Sequence, residues 1–419
     1  MTWRPKLRQA TCRYTVVIFC FLLAVVARYY LYGITGLGYG DRSSDVLGLA
    51  NGDWANHYHY AADIYLDHRM EHFFGGPYPI NLNATDIPIR DRYDKPYFYP
   101  PVTHVLLGAW LFLLHAPSVL GIGPVRACVL WASILDSLVV FPTFLIVRRF
   151  SSFQAATASA FLWTFNGFSF WAFRWGGLGL LTIGFFASAT SCVVIEMLSQ
   201  RELNRLQITL YSGALTLTLC AAFLSHPAAV YFAPVMGLTI SVLACTSIGR
   251  RKVSILIVSF LASIGLAFAA FYSYALFPLL SIYLSAGSAV VGKGVELWRT
   301  PPAPLFPATW YWIYYGTLPL LLSLGSPLLI KARPHAESVR ILPLIIGFFT
   351  TFLAAQLSVF GIYLITRVQF LVSIYSAPIF GIVFDRLGFK RRPSFAVLST
   401  YIIIPVSYTH LRAHETVLD

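Results

Sequence analysis

One stretch of this chain carries most of the side chains that could do chemistry. Between residues 52 and 99 the sequence is dense in Asp, His, Arg and Tyr, and apolar sequence lies on either side. Asp53 follows Gly52 and comes directly before an amphipathic run, which is the arrangement of a helix N-cap. A carboxylate here can also accept a proton or bind a metal ion. Both interpretations of Asp53 stay open.

The histidines of this stretch suggest metal chemistry, but their spacing argues against it. His57 and His59 are two residues apart and would lie on different faces of a helix, so contact of one of them with a phosphate or an acceptor is the better interpretation. His68-Arg69-Met70-Glu71-His72 matches the inverted zinc-peptidase signature H-x-x-E-H. A catalytic zinc needs a third protein ligand, and the sequence offers none that can be assigned. A solvated helix face is therefore the default interpretation.

The composition predicts a polytopic membrane protein. The 419 residues are 57% hydrophobic and only 11% charged, and no soluble core needs so much apolar surface. The formal net charge of +13 lies mostly in short Lys and Arg clusters between apolar runs. That distribution orients helices against anionic lipid. We therefore expect membrane lipids as partners and no nucleic acid.

Eleven apolar runs come near the roughly 20 residues that cross a hydrocarbon layer. They predict an all-α polytopic membrane protein of about 11 transmembrane or re-entrant helices, with a single transmembrane domain over residues 1–405. A long extracytoplasmic loop at 34–101 is expected to contain interfacial helices, one of them over Ala61–Phe73. We expect the cell membrane as the location and a cytoplasmic N-terminus, because Arg4–Arg13 is basic. The runs lie at about 14–33, 102–121, 126–147, 153–173, 176–198, 207–225, 227–247, 253–280, 309–330, 341–363 and 368–385.

The early runs conflict with this orientation. If residues 34–101 are outside, full crossings at 102–121 and 126–147 would leave Arg148 and Arg149 outside as well. Either one early segment is re-entrant or interfacial, or this arginine pair breaks the positive-inside rule. The topology of residues 102–173 stays open.

The end of the chain differs in character from the rest. An apolar run that starts at Phe395 stops after about twelve residues and gives way to SYTHLRAHETVLD. A span cannot end in mid-bilayer, because its backbone groups would lack hydrogen-bond partners. We expect residues 406–419 to be a non-native tail and the native C-terminus to be missing.

The order of the motifs resembles the GT-C superfamily of membrane glycosyltransferases. A first span is followed by an acidic residue, interfacial helices and a FYPP-type return to the membrane. The pattern is most similar to that of prokaryotic membrane proteins labelled 6-pyruvoyl-tetrahydropterin synthase related. The matching elements are Asp53, His57, Gly76-Pro77-Tyr78-Pro79, Phe98-Tyr99-Pro100-Pro101, Arg174-Trp175-Gly176-Gly177 and Ser225-His226-Pro227.

This resemblance implies transfer of a sugar from a polyprenyl-phosphate-linked donor to an acceptor on the extracytoplasmic face. In the superfamily an acidic residue of the first outer loop sits at the catalytic centre. By position Asp53 is the candidate base, and Asp41 and Asp45 are the alternatives. The base would take the acceptor's proton as the acceptor attacks the anomeric carbon. A nearby Arg or a divalent metal ion would neutralise the departing phosphate, and the need for metal stays open.

The resemblance and the expected topology together suggest further site residues. His57 is a second catalytic candidate. Arg174 and Arg367 are expected at the outer ends of apolar helices, where Arg is disfavoured, so each could bind a lipid-linked phosphate. His226 is either a cap or anchor or a functional group. The remaining substrate-binding candidates are Tyr97 and Tyr99 at headgroup level, and Arg299 and Glu296 could cover the donor from a second outer loop.

Two other kinds of function fit a bundle of apolar helices. A transporter or lipid flippase keeps its polar groups near the membrane midplane, often on repeated, broken helices. In this chain the ionisable residues gather at one face, and Asp136 and Glu196 are nearly the only acids within the spans. A non-catalytic assembly protein would use the polar loop as a docking surface. The sequence favours the glycosyltransferase and leaves its sugar, acceptor and oligomeric state open.

Overall fold

The protein is built from helices. The structure, a computed structural model, describes residues 3–34, 54–66, 100–166, 169, 172, 177–246, 248–273, 317–328, 335–356 and 364–387. No residue in these ranges lies in a β-strand. The predicted all-α class is therefore confirmed for the described part of the chain. It follows from the apolar sequence, because a helix satisfies its backbone groups within its own segment.

Fourteen α-helices lie within the described ranges. They are α1 (Trp3–Val26), α2 (Trp54–Tyr65), α3 (Val102–Gly108), α4 (Ala116–Leu120), α5 (Pro124–Ser137), α6 (Val140–Phe150), α7 (Phe153–Thr164), α8 (Leu178–Ser199), α9 (Arg205–Phe223), α10 (Phe232–Ala244), α11 (Arg250–Ala267), α12 (Thr317–Leu324), α13 (His335–Gln356) and α14 (Leu364–Arg386). Wider π-helical turns extend α1 over Ala27–Ile34, α3 over Ala109–Leu113 and α11 over Phe268–Tyr272, and a 3₁₀ turn at Pro227–Tyr231 precedes α10.

Five described helical segments are long and apolar enough to cross a membrane. They are Pro124–Phe150, Leu178–Ser199, Arg205–Phe223, Arg250–Tyr272 and Glu337–Ala355. Shorter apolar helices occupy Tyr14–Tyr30, Val102–Leu113 and Ala228–Ala244. The chain is therefore an all-α membrane protein, whereas the total of about 11 spans stays a prediction.

Local sequence explains where the helices of the core begin and bend. α5 and α6 form one long segment with a break at Leu138 and Val139. Pro142 lies four residues after Leu138 and has no N–H to donate to its carbonyl, so the regular ladder is interrupted there. α9 begins with a capping box, in which Asn204 and Gln207 each bind the backbone N–H of the other at 2.8 and 3.0 Å.

Basic and acidic residues from several helices meet at one end of the bundle, which we call the basic end. Arg149 at the end of α6 lies 3.8 Å from Glu196 near the end of α8. The N–H of Ser152, ahead of α7, donates to the carboxylate of Asp385 near the end of α14 at 3.3 Å. Arg148 and Arg149 therefore share an end with the cluster that follows α8.

The opposite end of the bundle carries His57, His104 and His226, and we call it the histidine end. The His226 ring lies beside Gly179 at the start of α8. Gly179 is about 25 Å along that helix from Glu196, given the rise of an α-helix. The two ends are thus separated by a distance close to the thickness of a bilayer core.

The segment of α3 keeps both of its ends at the histidine end. The N–H of Val102 donates to the carbonyl of Leu224, just beyond α9, at 2.9 Å. Farther along, the indole N–H of Trp110 donates to the carbonyl of Ala127 in the first turns of α5 at 3.0 Å. Ala127 is about 33 Å along α5 and α6 from Arg149. These contacts favour a re-entrant or interfacial segment over a full crossing at 102–121.

Helix α2 differs from the predicted interfacial helix over Ala61–Phe73. It begins at Trp54, and residues 67–73 lie outside the described part of the chain. Its buried positions His57, Ala61 and Ile64 follow the i, i+4, i+7 spacing of one helix face. This face packs against α3 and α5, so protein rather than lipid covers it.

A buried ion pair joins α1 to α5. The side chains of Arg28 and Asp136 are completely buried, and their charged groups are in contact. Ser169 donates a hydrogen bond to the same carboxylate, and the guanidinium of Arg28 also donates to the carbonyls of Trp163 at 2.8 Å and Thr164 at 2.9 Å. The pair lies about 20 Å along the helix from the basic end of α6, which is within the depth of the hydrocarbon. One arginine thus fastens α1, α5 and the end of α7 together.

Glycines allow the central helices to pack closely. A Cβ atom at Gly347 of α13 would lie 2.3 Å from the Tyr375 ring of α14, and one at Gly184 of α8 would lie 2.6 Å from the Phe370 ring. Without a driving force from water, membrane helices depend on such close contacts for their association.

Removing one partner of the buried pair should destabilise the protein strongly. Asp136→Asn leaves the charge of Arg28 without its counter-ion, which costs about 3–5 kcal/mol in a buried pair. The apolar double variant Arg28→Met/Asp136→Leu should recover most of this loss. The measurement is the free energy of unfolding in detergent micelles.

The control for this experiment is an exposed pair at the basic end. Arg386 lies 3.6 Å from Glu337, and both side chains are nearly half exposed. Arg386→Ala should cost less than about 1 kcal/mol. Equal losses for Asp136→Asn and Arg386→Ala would show that the buried pair has no special role.

Two exposed positions should be accessible from opposite sides of the membrane. Ser118 lies in α4 beside the histidine end, and Glu202 follows α8 at the basic end. Ser118→Cys and Glu202→Cys, each made in a background without native cysteines, should react with a membrane-impermeant maleimide from opposite faces of sealed vesicles. Reaction of both from the same face would mean that residues 102–121 cross the membrane.

Candidate functional site

A pair of buried histidines forms where α2 docks on α3. Nδ1 of His57 lies 2.7 Å from Nε2 of His104, with the ring centroids 5.0 Å apart. His57 is 3% exposed and His104 is fully buried. The Tyr60 ring meets His104 edge to face at 5.4 Å. The first polar loop thus supplies one imidazole, and the segment that follows the FYPP motif supplies the other.

The fit between the two helices depends on a tyrosine and a glycine. The Tyr65 hydroxyl donates to the carbonyl of Val105 at 3.0 Å. A Cβ atom at Gly108 would lie 2.2 Å from the Tyr65 ring, so only glycine leaves room for this ring. The pair of histidines is therefore held by contacts on the same face, one to two turns farther along each helix.

The spacing of the two nitrogens decides between two chemistries. Nitrogen ligands of one tetrahedral zinc ion stand about 3.3 Å apart, so a separation of 2.7 Å is too short for His57 and His104 to share a metal in this arrangement. The separation is that of a hydrogen bond, in which one ring donates and the other accepts. In the described ranges no three His, Cys, Asp or Glu side chains form a group that could hold a metal ion.

A second contact region links α3 to the turn after α9. The hydroxyl of Thr103 donates to the carbonyl of Ser225 at 2.9 Å. His104 and His226 are the next residues in each segment. The same short part of α3 thus joins the histidine pair to the turn that carries the third histidine.

His226 has a defined arrangement at the start of a 3₁₀ turn. It is 3% exposed, and its Nδ1 accepts a hydrogen bond from the backbone N–H of Ala228 at 3.0 Å. Because Nδ1 accepts, the neutral ring carries its proton on Nε2 and offers that N–H as a donor. The cap predicted as one alternative for His226 is present, and the ring keeps a donor nitrogen as well.

Several of the predicted site residues lie outside the described ranges. These are Asp53, Tyr97, Tyr99 and Arg174, together with the alternatives Asp41 and Asp45, the motif at residues 68–72, and Glu296 and Arg299. For Arg367 the backbone is described within α14, about 28 Å along the helix from Arg386, at the end away from the basic end. The convergence of Asp53, Arg174, His226 and Arg367 on one cavity stays a prediction.

Sequence reasoning missed His104 and the pair of Arg28 with Asp136. His104 falls inside a predicted span, where it reads as one polar residue among apolar neighbours. The available signal is its place three residues after Pro101, directly behind the FYPP motif. For the ion pair, the signal is the presence of opposite charges in two apolar runs, since such charges must find a partner in the membrane.

No family model matches the chain, and no curated protein matches it significantly. Function must therefore be inferred from the chemistry of the site.

Gly179→Ala should displace the imidazole of His226. The added Cβ atom would lie 2.9 Å from Cδ2 of the ring and 3.1 Å from the carbonyl oxygen of Ser225, and the latter belongs to the backbone. We expect the free energy of unfolding in detergent to fall by about 1–3 kcal/mol, as in other overpacked sites.

Gly213→Ala is the matched control in α9. A Cβ atom at Gly213 meets nothing within 4 Å. Since alanine is the better helix former, this variant should be up to about 1 kcal/mol more stable than the wild type. If both variants behave alike, close contact between α8 and the His226 turn does not matter for stability.

Proposed function

We propose that this chain is a GT-C-type glycosyltransferase that moves a sugar from a polyprenyl-phosphate-linked donor to an acceptor. The reaction takes place at the histidine end, which is extracytoplasmic, and the N-terminus is cytoplasmic. The observation that supports the proposal is the docking of α2, the helix that directly follows Asp53, on α3 through His57 and His104. Imidazoles from three segments distant in sequence gather there, at the end opposite the basic end.

The chemistry of these groups fits the transfer of a sugar from a phosphate. Asp53 takes the proton of the acceptor hydroxyl or amide as it attacks the anomeric carbon. The N–H of His226 can donate to an oxygen of the phosphate, and His57 contributes from α2. Arg367, near the same end of α14, and Arg174 supply positive charge for the leaving phosphate.

The polyprenyl chain of the donor needs an apolar surface that reaches the site. The helices of the bundle expose large apolar side chains to their surroundings, among them Val230 in the turn that follows His226. A lipid-linked donor can therefore approach from within the membrane, with its phosphate at the depth of the histidine end.

Transport is the second candidate, because of one observation. An ionisable pair buried within the membrane, such as Arg28 and Asp136, is a functional hypothesis by default. Its charges are nevertheless held by Ser169 and by two backbone carbonyls, which fits a structural role better than a binding site. Flux into liposomes that is lost in Arg28→Met/Asp136→Leu, a variant expected to fold, would favour transport.

Asp53→Asn should lower sugar transfer by about 10²–10⁴-fold, the usual contribution of a general base. The measurement is the transfer of a radiolabelled sugar from a polyprenyl-phosphate donor by the purified protein. His115→Asn is the control, because His115 is exposed and has a left-handed backbone with φ 49°, which Asn tolerates.

The outcomes of this assay separate the proposals. An unchanged rate in Asp53→Asn removes Asp53 as the base and leaves Asp41 and Asp45 to be tested. If the wild-type chain transfers no sugar from any polyprenyl-phosphate donor, the glycosyltransferase proposal is wrong.

A further inference from the structure

The hydrogen bond between His57 and His104 limits where each ring can carry its proton. Two N–H groups cannot face each other at 2.7 Å, and two bare nitrogens would have no hydrogen to share. Two arrangements of neutral rings are left. In the first, Nε2–H of His104 donates to Nδ1 of His57, and the proton of His57 is on its Nε2. In the second, Nδ1–H of His57 donates, and its Nε2 is bare.

The intrinsic preference of the imidazole ring selects the first arrangement. In water the neutral histidine side chain favours the tautomer with its proton on Nε2. The first arrangement gives both rings this tautomer, and the second gives both rings the less stable one. Complete burial of His104 and near-complete burial of His57 also disfavour a charged ring, because desolvation penalises the charge.

We propose that His104 is a positioning residue that holds His57 as a neutral Nε2–H donor, and that this donor and the Nε2–H of His226 bind the phosphate of the lipid-linked substrate. The inference rests on the proposed function and specifies how its site recognises the donor. The same tautomer is set by two different partners: Nδ1 of His57 accepts from His104, and Nδ1 of His226 accepts from the backbone of Ala228.

The contacts of α3 connect the two imidazoles. His104 sets the tautomer of His57, and its neighbour Thr103 is bonded to Ser225, which precedes His226. A shift of α3 would therefore disturb both donors together. This coupling explains why a histidine that itself stays buried can affect the binding of the substrate.

The proposed site moves no proton through its histidines. As the acceptor oxygen forms its bond to the anomeric carbon, the bond from that carbon to the phosphate oxygen breaks, and the phosphate leaves with the electron pair. The proton of the acceptor goes to Asp53. The two imidazole N–H groups keep their protons and donate to the phosphate oxygens, whose negative charge increases in this step.

Nitrogen-15 NMR of the histidine-labelled protein in lipid nanodiscs tests the proton positions directly, because protonated and bare ring nitrogens resonate in separate regions. The signals of His57 are assigned by their loss in His57→Gln. In the wild type we expect a bare Nδ1 and a protonated Nε2 at His57. A protonated Nδ1 with a bare Nε2 overturns the inference.

Two variants of nearly equal shape separate the positioning role from packing. The amide of Gln in His104→Gln can donate to Nδ1 of His57 and should preserve its tautomer. The carboxylate of Glu in His104→Glu can only accept and should draw the proton of His57 to Nδ1. Farnesyl phosphate serves as the probe for binding. It should bind His104→Gln as it binds the wild type, and His104→Glu about 10- to 100-fold more weakly.

The added charge of Glu needs its own control. Ser118→Glu introduces the same charge at an exposed position of α4 beside the histidine end, and its affinity for farnesyl phosphate should stay within about twofold of the wild type. Thermal unfolding shows whether each variant is folded. If His104→Glu does not fold, the spectra of the wild type and of His104→Gln still decide the tautomer.

The remaining outcomes distinguish the inference from the proposed function. Equal affinities of folded His104→Gln and His104→Glu, or a wild-type His57 whose signals do not respond to farnesyl phosphate, overturn the inference while measured sugar transfer stands. Conversely, a wild type that transfers no sugar contradicts the proposed function. The tautomer of His57 and its response to the phosphate probe are then still decided by the spectra.

Discussion

The contact between Arg28 and Asp136 is the interaction on which the centre of this bundle depends. Two charges within the hydrocarbon are tolerated only if every polar atom around them is arranged to receive them. That requirement fixes α1 against α5, and it draws in the end of α7 through the carbonyl of Trp163. The same residue donates its indole N–H to the backbone carbonyl of Asp136 at 3.0 Å, so the acidic residue is held from both its side chain and its main chain. The break at Leu138 comes directly after this point, where α5 can still turn toward its partner.

The histidine end depends on the same helix. α5 carries Asp136 in the membrane, and nearer its start it carries the surface on which α3 rests, where Trp131 stacks on Trp110 at 5.6 Å. α3 in turn supports α2. Electrostatics in the interior thus determine where the polar loop returns, although no ionic contact is present between the two regions in the described part of the chain.

Much of this arrangement could be read from the sequence, and the limits have physical causes. Apolar runs predicted the all-α membrane class, because hydropathy and helix length are local properties. His57 was a candidate from its place behind Asp53, whereas its partner His104 could not be paired with it, since contact between residues 47 positions apart depends on how the helices dock. The run at 102–121 was long enough to cross, and only its contacts with Leu224 and Ala127 show that it stays at one end. The predicted helix at Ala61–Phe73 began too late because its buried face starts with a histidine, which a search for apolar residues passes over.

The π-helical turn after α1 makes the length of the chain as important as its composition. Such a turn holds one residue more than an α-helical turn, so the loss of a single residue between Tyr29 and Ile34 would let it close into an ordinary α-helix. Arg28 would stay on Asp136, but every residue beyond would be rotated by about 100° around the helix axis. The chain would then enter the polar loop in a different direction, without any change in hydropathy. Insertions and deletions are therefore tolerable here in whole turns, and a one-residue change acts as a rotation.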